Sequence, residues 1–531
     1  RLLFLMITAW LVLVALVALA AYGWRRHGYW RARRVPHDLP LPFVGNNARV
    51  LLLRRTVAQL ALELYERYPA EPVVGFYRSS RPELVVRDPA IIKRVLMTDF
   101  ACFHSRGLNP SKEVVEPLFR NLFFADGDLW RLLRQRLTPA FTSGKLRAMF
   151  PLVVQRAERL QRRLALAADQ VVDARDIMAR YTIDFIGACG FGLEADALKD
   201  DNSAFKKLGD NIFKIGAREV VVTVLKEVFP ERFKHLKFLP KLEAEIRQLV
   251  DAILKQRNYE PSGRNDFIDL LLECKKKGTM SGESIERKKS DGSSEIVTLE
   301  FTDDLIMAQV FAFFVGGFDT SSTVTGYTLH QLAHHPAEQA RAHQEVDRVL
   351  AKYHDKLCYD ALKEMTYLEC ALKEGMRMFP PLGFLVRECA HHYTFPELNL
   401  SIDPGVKIVV PIHALHYDPQ YFDDPLEFRP ERFMKERYDL EQYKWVYLPF
   451  GDGPRGCIGD TSELWRVAGT RLALLQSLAG LAAVLARFSV APAPGSVRRP
   501  RVATVAGLTQ AVENGLPLIF RERRRESGDS T

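Results

Sequence analysis

The sequence predicts a mainly helical domain with small β-sheets, preceded by one apolar N-terminal helix, and three observations carry that prediction. Long stretches at 151–170, 302–335 and 338–352 are patterned as helices. Strand-like runs are few and short, such as Glu83-Leu84-Val85-Val86 and Val406 to Pro411. Residues Leu2 to Tyr22 form an apolar run in which Thr8 is the one clearly polar member. With 531 residues, 47 % hydrophobic and 26 % charged, the chain cannot be mostly disordered or collagen-like. It carries ample apolar material for a large core.

The first element is the apolar run. Its 21 residues, at about 1.5 Å rise each, cover the thickness of a bilayer core. A cleavable signal peptide competes, and Ala18-Leu19-Ala20 resembles a cleavage site. The run is longer than such a signal needs, however, and Arg25, Arg26, Arg31, Arg33 and Arg34 follow it. By the positive-inside rule those arginines keep that end cytoplasmic, so residues 1–24 read as a retained single-pass transmembrane anchor. Residues 25–45 form a basic, proline-rich hinge, with Pro36, Pro40 and Pro42 stiffening it. From 46 to 520 there is no internal repeat and no linker, which predicts one large domain; 521–531 is a charged tail. Lys275 to Ser294 reads as a flexible surface loop.

Seven cysteines at irregular positions do not describe a secreted disulfide scaffold. The net charge of +9 points to an acidic partner, a membrane or nucleic acid, and composition alone does not separate them.

Residues 450–459 read F-G-D-G-P-R-G-C-I-G. Gly451, Gly453 and Gly456 also fit G-x-G-x-x-G, the dinucleotide fingerprint, but Pro454 interrupts it and no acidic residue lies between Glu463 and Glu513. The dinucleotide reading fails. The alternatives are an inert cysteine in a tight turn and a metal-ligating Cys457, with glycines letting the backbone approach a flat cofactor. Phenylalanine, three glycines, arginine and cysteine at this spacing favour the ligand. Upstream, Thr302 is an N-cap with Asp303 and Asp304 in the first turn of a helix that contains Gly316-Gly317 and Asp319-Thr320. The Thr320 hydroxyl can bond the Gly316 carbonyl and open a small pocket in that helix. Glu374 and Arg377 stand three apart, and Trp130 and Arg134 four apart, so each pair shares a helix face.

Phe450, Gly453, Arg455, Cys457 and Gly459 resemble the haem-binding signature F-x-x-G-x-R-x-C-x-G of the cytochromes P450, the haem-thiolate monooxygenases. The resemblance runs from the anchor to about Phe520; the segments from Trp130 to Lys145 and from Phe318 to Ser322 are similar to the insect family-six microsomal members. It implies the cytochrome P450 fold and a haem b whose iron takes the Cys457 thiolate. Around the haem it places Trp130, Arg134, Arg387, Phe450, Arg455, Gly316 and Gly317. Thr320 then helps deliver protons in a groove that holds dioxygen, and Asp319 relays them from solvent. Glu374, Arg377 and Arg432 form a structural trio behind the haem. Phe313, Phe318 and Phe384 suggest an aromatic-lined substrate pocket, and the segment from Val220 to Phe229 is apolar enough to dip into lipid.

The implied reaction puts one atom of dioxygen into a lipophilic small molecule: a xenobiotic, plant toxin, insecticide or endogenous lipid. No nicotinamide or flavin motif is present, so electrons come from a separate reductase; the resemblance implies NADPH as their source and cytochrome b5 as a further donor. Arg131, Lys444 and Arg455 belong to a basic face that steers such a partner, or are ordinary surface charges. The resemblance places the chain on the endoplasmic reticulum membrane, catalytic domain in the cytosol, and nucleic acid finds no support. His334-His335 and His391-His392 read as surface residues.

One stretch departs from the family. Asp460 to Gly469 stands as a ten-residue insertion between the cysteine loop and Thr470-Arg471-Leu472, where the next helix should begin. A tolerated loop, retained non-coding sequence and a lesion all fit. A lesion would leave the alternative function, a non-catalytic membrane protein that binds haem or lipophiles.

Overall fold

The computed structural model describes residues 27–458 apart from 110, 213, 215, 265, 438 and 439, then 472–504 and 509–523, with scattered positions between 6 and 25. Gly459, the apparent insertion 460–469, part of the expected anchor and the tail after Arg523 lie outside the described residues. The N-terminal positions that are described are helical, and Trp10, Leu11 and Val17 among them are exposed.

The described chain divides into two compact units. The first joins Arg1–Val115, Ile215–Phe238 and Phe384–Leu415; the second joins Glu116–Lys214, Leu239–Gly383 and His416–Thr531. Each is assembled from separated stretches, which is why no linker marks a boundary in the sequence.

The first unit is built on a four-stranded sheet in the order Val73–Arg78, Arg81–Val86, Lys407–Val410, Leu385–Glu388. The two central strands pair in parallel and the outer pairs are antiparallel. Both strand runs anticipated from sequence are present, within two residues of their expected ends. Helix Val57–Arg67 starts at a capping box of Thr56 and Gln59 and lays Leu60, Ala61 and Leu64 on the sheet against Val74, Val85 and Val409. The unit also contains helix Ala217–Val228, which buries Val222 and exposes Val221, with Phe229 exposed just beyond it.

The second unit is organised round helix Asp303–His334, the central helix. Thr302 caps it by accepting the Leu305 N–H, and Asp303 and Asp304 sit in the first turn. Apolar residues on nearly every side make it a buried helix, packed by Ala174–Ile186, Thr366–Met378 and Leu472–Arg487. The helices foreseen at 151–170 and 338–352 run Ser143–Leu166 and Pro336–Lys352.

The flexible loop expected at 275–294 is corrected. Helix Phe267–Lys276 ends there, and Thr279–Lys288 pairs with Ser294–Glu300 as an antiparallel hairpin. Both its faces are largely exposed, so its strands carry the polar composition of a loop. It is tied down at Ser284, whose hydroxyl donates to the Asp128 carboxylate at 2.8 Å, while the Ile285 N–H donates to the same group at 2.7 Å.

Candidate functional site

The cysteine loop is folded by its own backbone. Gly451 and Gly453 take φ of 69° and 71°, where a side chain would be strained. The Gly456 N–H donates to the Gly453 carbonyl at 2.8 Å and the Cys457 N–H to the Phe450 carbonyl at 2.9 Å. Gly453, Arg455 and Gly456 are buried, yet Cys457 is exposed. Trp130 and Arg134 stand on helix Gly127–Leu137, as their spacing predicted, and both meet this loop. Arg134 donates to the Gly456 carbonyl at 2.8 Å. Burial lowers the pKa of its guanidinium from the ordinary value, and the nearby Cys457 sulfur acts in the opposite sense, favouring the cation.

Arg455 lies with its guanidinium carbon 4.2 Å from the centre of the Trp130 ring, donating to the Ala125 carbonyl at 2.8 Å and to Asp126 at 2.9 Å. It is only 2 % exposed, which removes it from the basic surface proposed to steer a partner. Lys444 is exposed, and Arg131 pairs with Glu283 of the hairpin.

On the central helix the Thr320 hydroxyl donates to the Gly316 carbonyl at 2.7 Å, the bond anticipated from sequence. The two glycines before it differ. A Cβ on Gly316 would meet nothing within 4 Å, and that residue is exposed in the middle of a largely buried helix. A Cβ on Gly317 would stand 2.4 Å from Ile186 Cδ1, so Gly317 is the point where helix Ala174–Ile186 packs close. Gly316 therefore faces the open side, and Gly317 serves helix packing.

Asp319 is fully buried and accepts a hydrogen bond from Arg175, whose side chain is one-third exposed. Burial pushes the Asp319 carboxyl up, and Arg175 and the Thr509 hydroxyl oppose that. Nothing in the sequence singled out Arg175.

Glu374, Arg377 and Arg432 meet as foreseen, all buried. Glu374 receives Arg377 through two bonds of 2.7 and 2.9 Å and Arg432 at 3.0 Å. It also receives the Arg429 N–H at 2.9 Å. His416, which sequence reasoning missed, links this group to Leu448, just ahead of the cysteine loop. Its Nδ1 lies 3.1 Å from the Arg377 carbonyl, and its Nε2 accepts the Leu448 N–H at 3.1 Å. Those partners set the tautomer: the proton sits on Nδ1.

The remaining candidates fall in both units. Arg387 is buried on strand Leu385–Glu388 of the first unit and donates to the Val386 carbonyl; Phe384 packs on that unit's sheet core. In the second unit Phe313 stacks on Phe267 at 4.3 Å between ring centres, while Phe318 lies 5.0 Å from Phe314, itself buried. His391 and His392 are exposed, but His334 and His335 are half-buried. His334 bonds the Ser496 hydroxyl and His335 the Gln331 carbonyl.

The residues present fit a haem. An exposed thiol on a glycine loop whose Gly453, Arg455 and Gly456 are buried, and an exposed glycine in the middle of a largely buried helix, are features that a flat group held by a sulfur ligand requires. Comparison with known proteins agrees. The family model described as Cytochrome P450 matches residues 35–516. "Cytochrome P450 6B6" of Helicoverpa armigera is 35 % identical, covering 93 % of this chain and 94 % of its own. "Probable cytochrome P450 6a13" of Drosophila melanogaster is 36 % identical over 85 % and 88 %. "Cytochrome P450 6k1" of Blattella germanica is 33 % identical over 96 % of each.

Proposed function

The chain belongs to the cytochrome P450 family, and on that premise we propose that it oxidises lipophilic small molecules at the endoplasmic reticulum membrane, using electrons from NADPH through a separate reductase. It is a monooxygenase, and its cofactor is haem. When bound, the haem supplies the activation of dioxygen, one atom of which enters the substrate while the other leaves as water.

The chain's own residues then have distinct tasks. Cys457 would hold the cofactor through its sulfur, with the buried Arg134 beside it bonded to the carbonyl just before it. Thr320 gives its own hydrogen to the Gly316 carbonyl, so its oxygen is left as an acceptor. In this reading it orients a water that carries the proton, on the side where Gly316 leaves space. Asp319, a buried carboxyl whose pKa burial raises, holds a proton more readily than an exposed one would. Its partner Arg175 connects it to solvent. Glu374, Arg377, Arg432 and His416 keep the cysteine loop in place and take no part in proton transfer.

Membrane residence rests on the apolar N-terminal run and on Leu39, Leu41, Val221 and Phe229 of the first unit, all four exposed. Substrates dissolved in lipid would reach the enzyme from that side.

The observation that carries the reading is the exposed Cys457 thiol on its glycine loop, with Arg134 bonded to the carbonyl just before it. The test combines the full chain, loaded with haem, with an NADPH-dependent reductase in phospholipid vesicles and offers it fatty acids, terpenoids, plant phenolics and insecticides. Reductase-dependent NADPH consumption with oxygenated product is expected. Haem binding without turnover on any compound would favour the non-catalytic alternative.

A further inference from the structure

Three consecutive carbonyls of the central helix, those of Gly316, Gly317 and Phe318, each accept a side-chain donor, and each donor comes from a different helix. Thr320 of the central helix donates to Gly316 at 2.7 Å. Gln476 Nε2, from helix Leu472–Arg487, donates to Gly317 at 3.0 Å. Thr182 Oγ1, from helix Ala174–Ile186, lies 3.1 Å from the Phe318 carbonyl. Such donors share the carbonyls with the helix's own amides, and a donor that holds two groups of one turn ties that turn together.

Gln476 is the specific member of this set. The single Thr182 hydroxyl hydrogen is shared among the carbonyls of Met178, Ala179 and Phe318, so it commits to none. Gln476 Nε2 has two hydrogens and two partners, the Gly317 carbonyl and the Ser321 hydroxyl, the latter at 2.6 Å. Those partners are the two ends of one helical step, since an ideal helix bonds the amide of Ser321 to the carbonyl of Gly317.

The side chain is 1 % exposed, and its helix is tied to Ala174–Ile186 by the Tyr181 hydroxyl, which donates to the Gln476 carbonyl at 2.9 Å. Its Oε1 is buried with no hydrogen-bond partner. An unpaired buried acceptor is costly, and a leucine or methionine would fill this space without the cost. Turning the amide round would set its oxygen against the Gly317 carbonyl oxygen. The orientation is therefore held by its bonds to the central helix.

We propose that Gln476 is a positioning residue for proton delivery. By holding the Gly317 carbonyl and the Ser321 hydroxyl together it fixes the turn from which Thr320 presents its oxygen. It does so from the helix that follows the cysteine loop in the chain, so the register of that helix sets the geometry of the groove. The proposal deepens the reading of Thr320 given above and rests on it.

The test uses the full haem-loaded chain with reductase in vesicles, as parent, Gln476→Met, Ser321→Ala and Thr320→Ala. Three quantities are read: the carbon monoxide spectrum of the reduced protein, hydrogen exchange of the peptide 313–324, and the ratio of product to NADPH with hydrogen peroxide release. Gln476→Met should keep the parent haem content and spectrum. Exchange in 313–324 should quicken several-fold, and product per NADPH should fall several-fold as peroxide rises. Ser321→Ala, which removes one of the two partners, should move both quantities in the same direction by less, and it decides the matter if Gln476→Met fails to load haem. Unchanged exchange and unchanged coupling in a haem-loaded variant overturn the proposal. If Thr320→Ala leaves coupling unaffected, the reading of Thr320 fails, and the exchange data still decide whether Gln476 holds the turn.

Discussion

Alanine at 316 and at 317 should have opposite effects on stability, although the two glycines are neighbours in one helix. Replacing glycine by alanine inside a helix stabilises by about 1 kcal/mol, because alanine loses less backbone freedom on folding. At 316 the new methyl meets nothing within 4 Å, so Gly316→Ala should show that gain undiminished. At 317 the methyl would stand 2.4 Å from Ile186 Cδ1 and 3.0 Å from Cγ1, and Ile186 is 1 % exposed with little room to move. Overpacking of that kind costs about 1–3 kcal/mol, which leaves Gly317→Ala destabilised by about 0–2 kcal/mol after the helix gain. Denaturant midpoints, read by circular dichroism on the haem-loaded proteins, separate the two. Carbon monoxide affinity of the reduced proteins is the second readout. Gly316→Ala should weaken it several-fold, because the methyl enters the space assigned to the diatomic ligand, whereas Gly317→Ala should leave it near the parent value. A Gly316→Ala protein less stable than the parent would show that the face is not open. A more stable one with unchanged carbon monoxide binding would show that the open face is not the ligand's.

Glu374→Gln removes the buried negative charge that answers both Arg377 and Arg432, the latter also reaching Asp423, and should destabilise by about 3–5 kcal/mol. A denaturant midpoint and haem retention equal to the parent's would count against that. Burial pushes His330 and His343 down to about 4 from 6.5, so within that window the unfolded chain binds protons the native protein does not. Stability should therefore fall as pH drops from about 6.5 to about 4, and His330→Asn should flatten the slope; an equally steep profile would contradict this. Deleting 460–469 should raise haem occupancy and strengthen the thiolate-type band, and equal occupancy with the same spectrum would mean that the insertion is tolerated.

What was legible in the sequence was whatever lies close in the chain or in a fixed motif. The Thr320–Gly316 bond spans one helical turn, the Glu374–Arg377 pair spans another, and the cysteine loop is closed by bonds among its own residues. Gln476, Thr182, Arg175 and His416 were not legible, because each meets its partner across a distance in sequence that only packing closes. A buried glutamine in an apolar helix looks like any other polar interruption until its two acceptors are placed. The hairpin at 279–300 was missed for a different reason. Its strands are solvated on both faces, so the alternation that marks a half-buried strand is absent. Arg455 was misjudged because sequence shows its charge and not the Trp130 ring and Asp126 carboxylate that take it out of solvent.

The most direct measurement is the carbon monoxide difference spectrum of the reduced, haem-loaded full chain, taken beside Cys457→Ser. The parent should give a thiolate-type band and the variant should lose it while its far-ultraviolet circular dichroism is retained. A parent without that band, or a variant that keeps it, would contradict the assignment of Cys457 as the ligand on which the account rests.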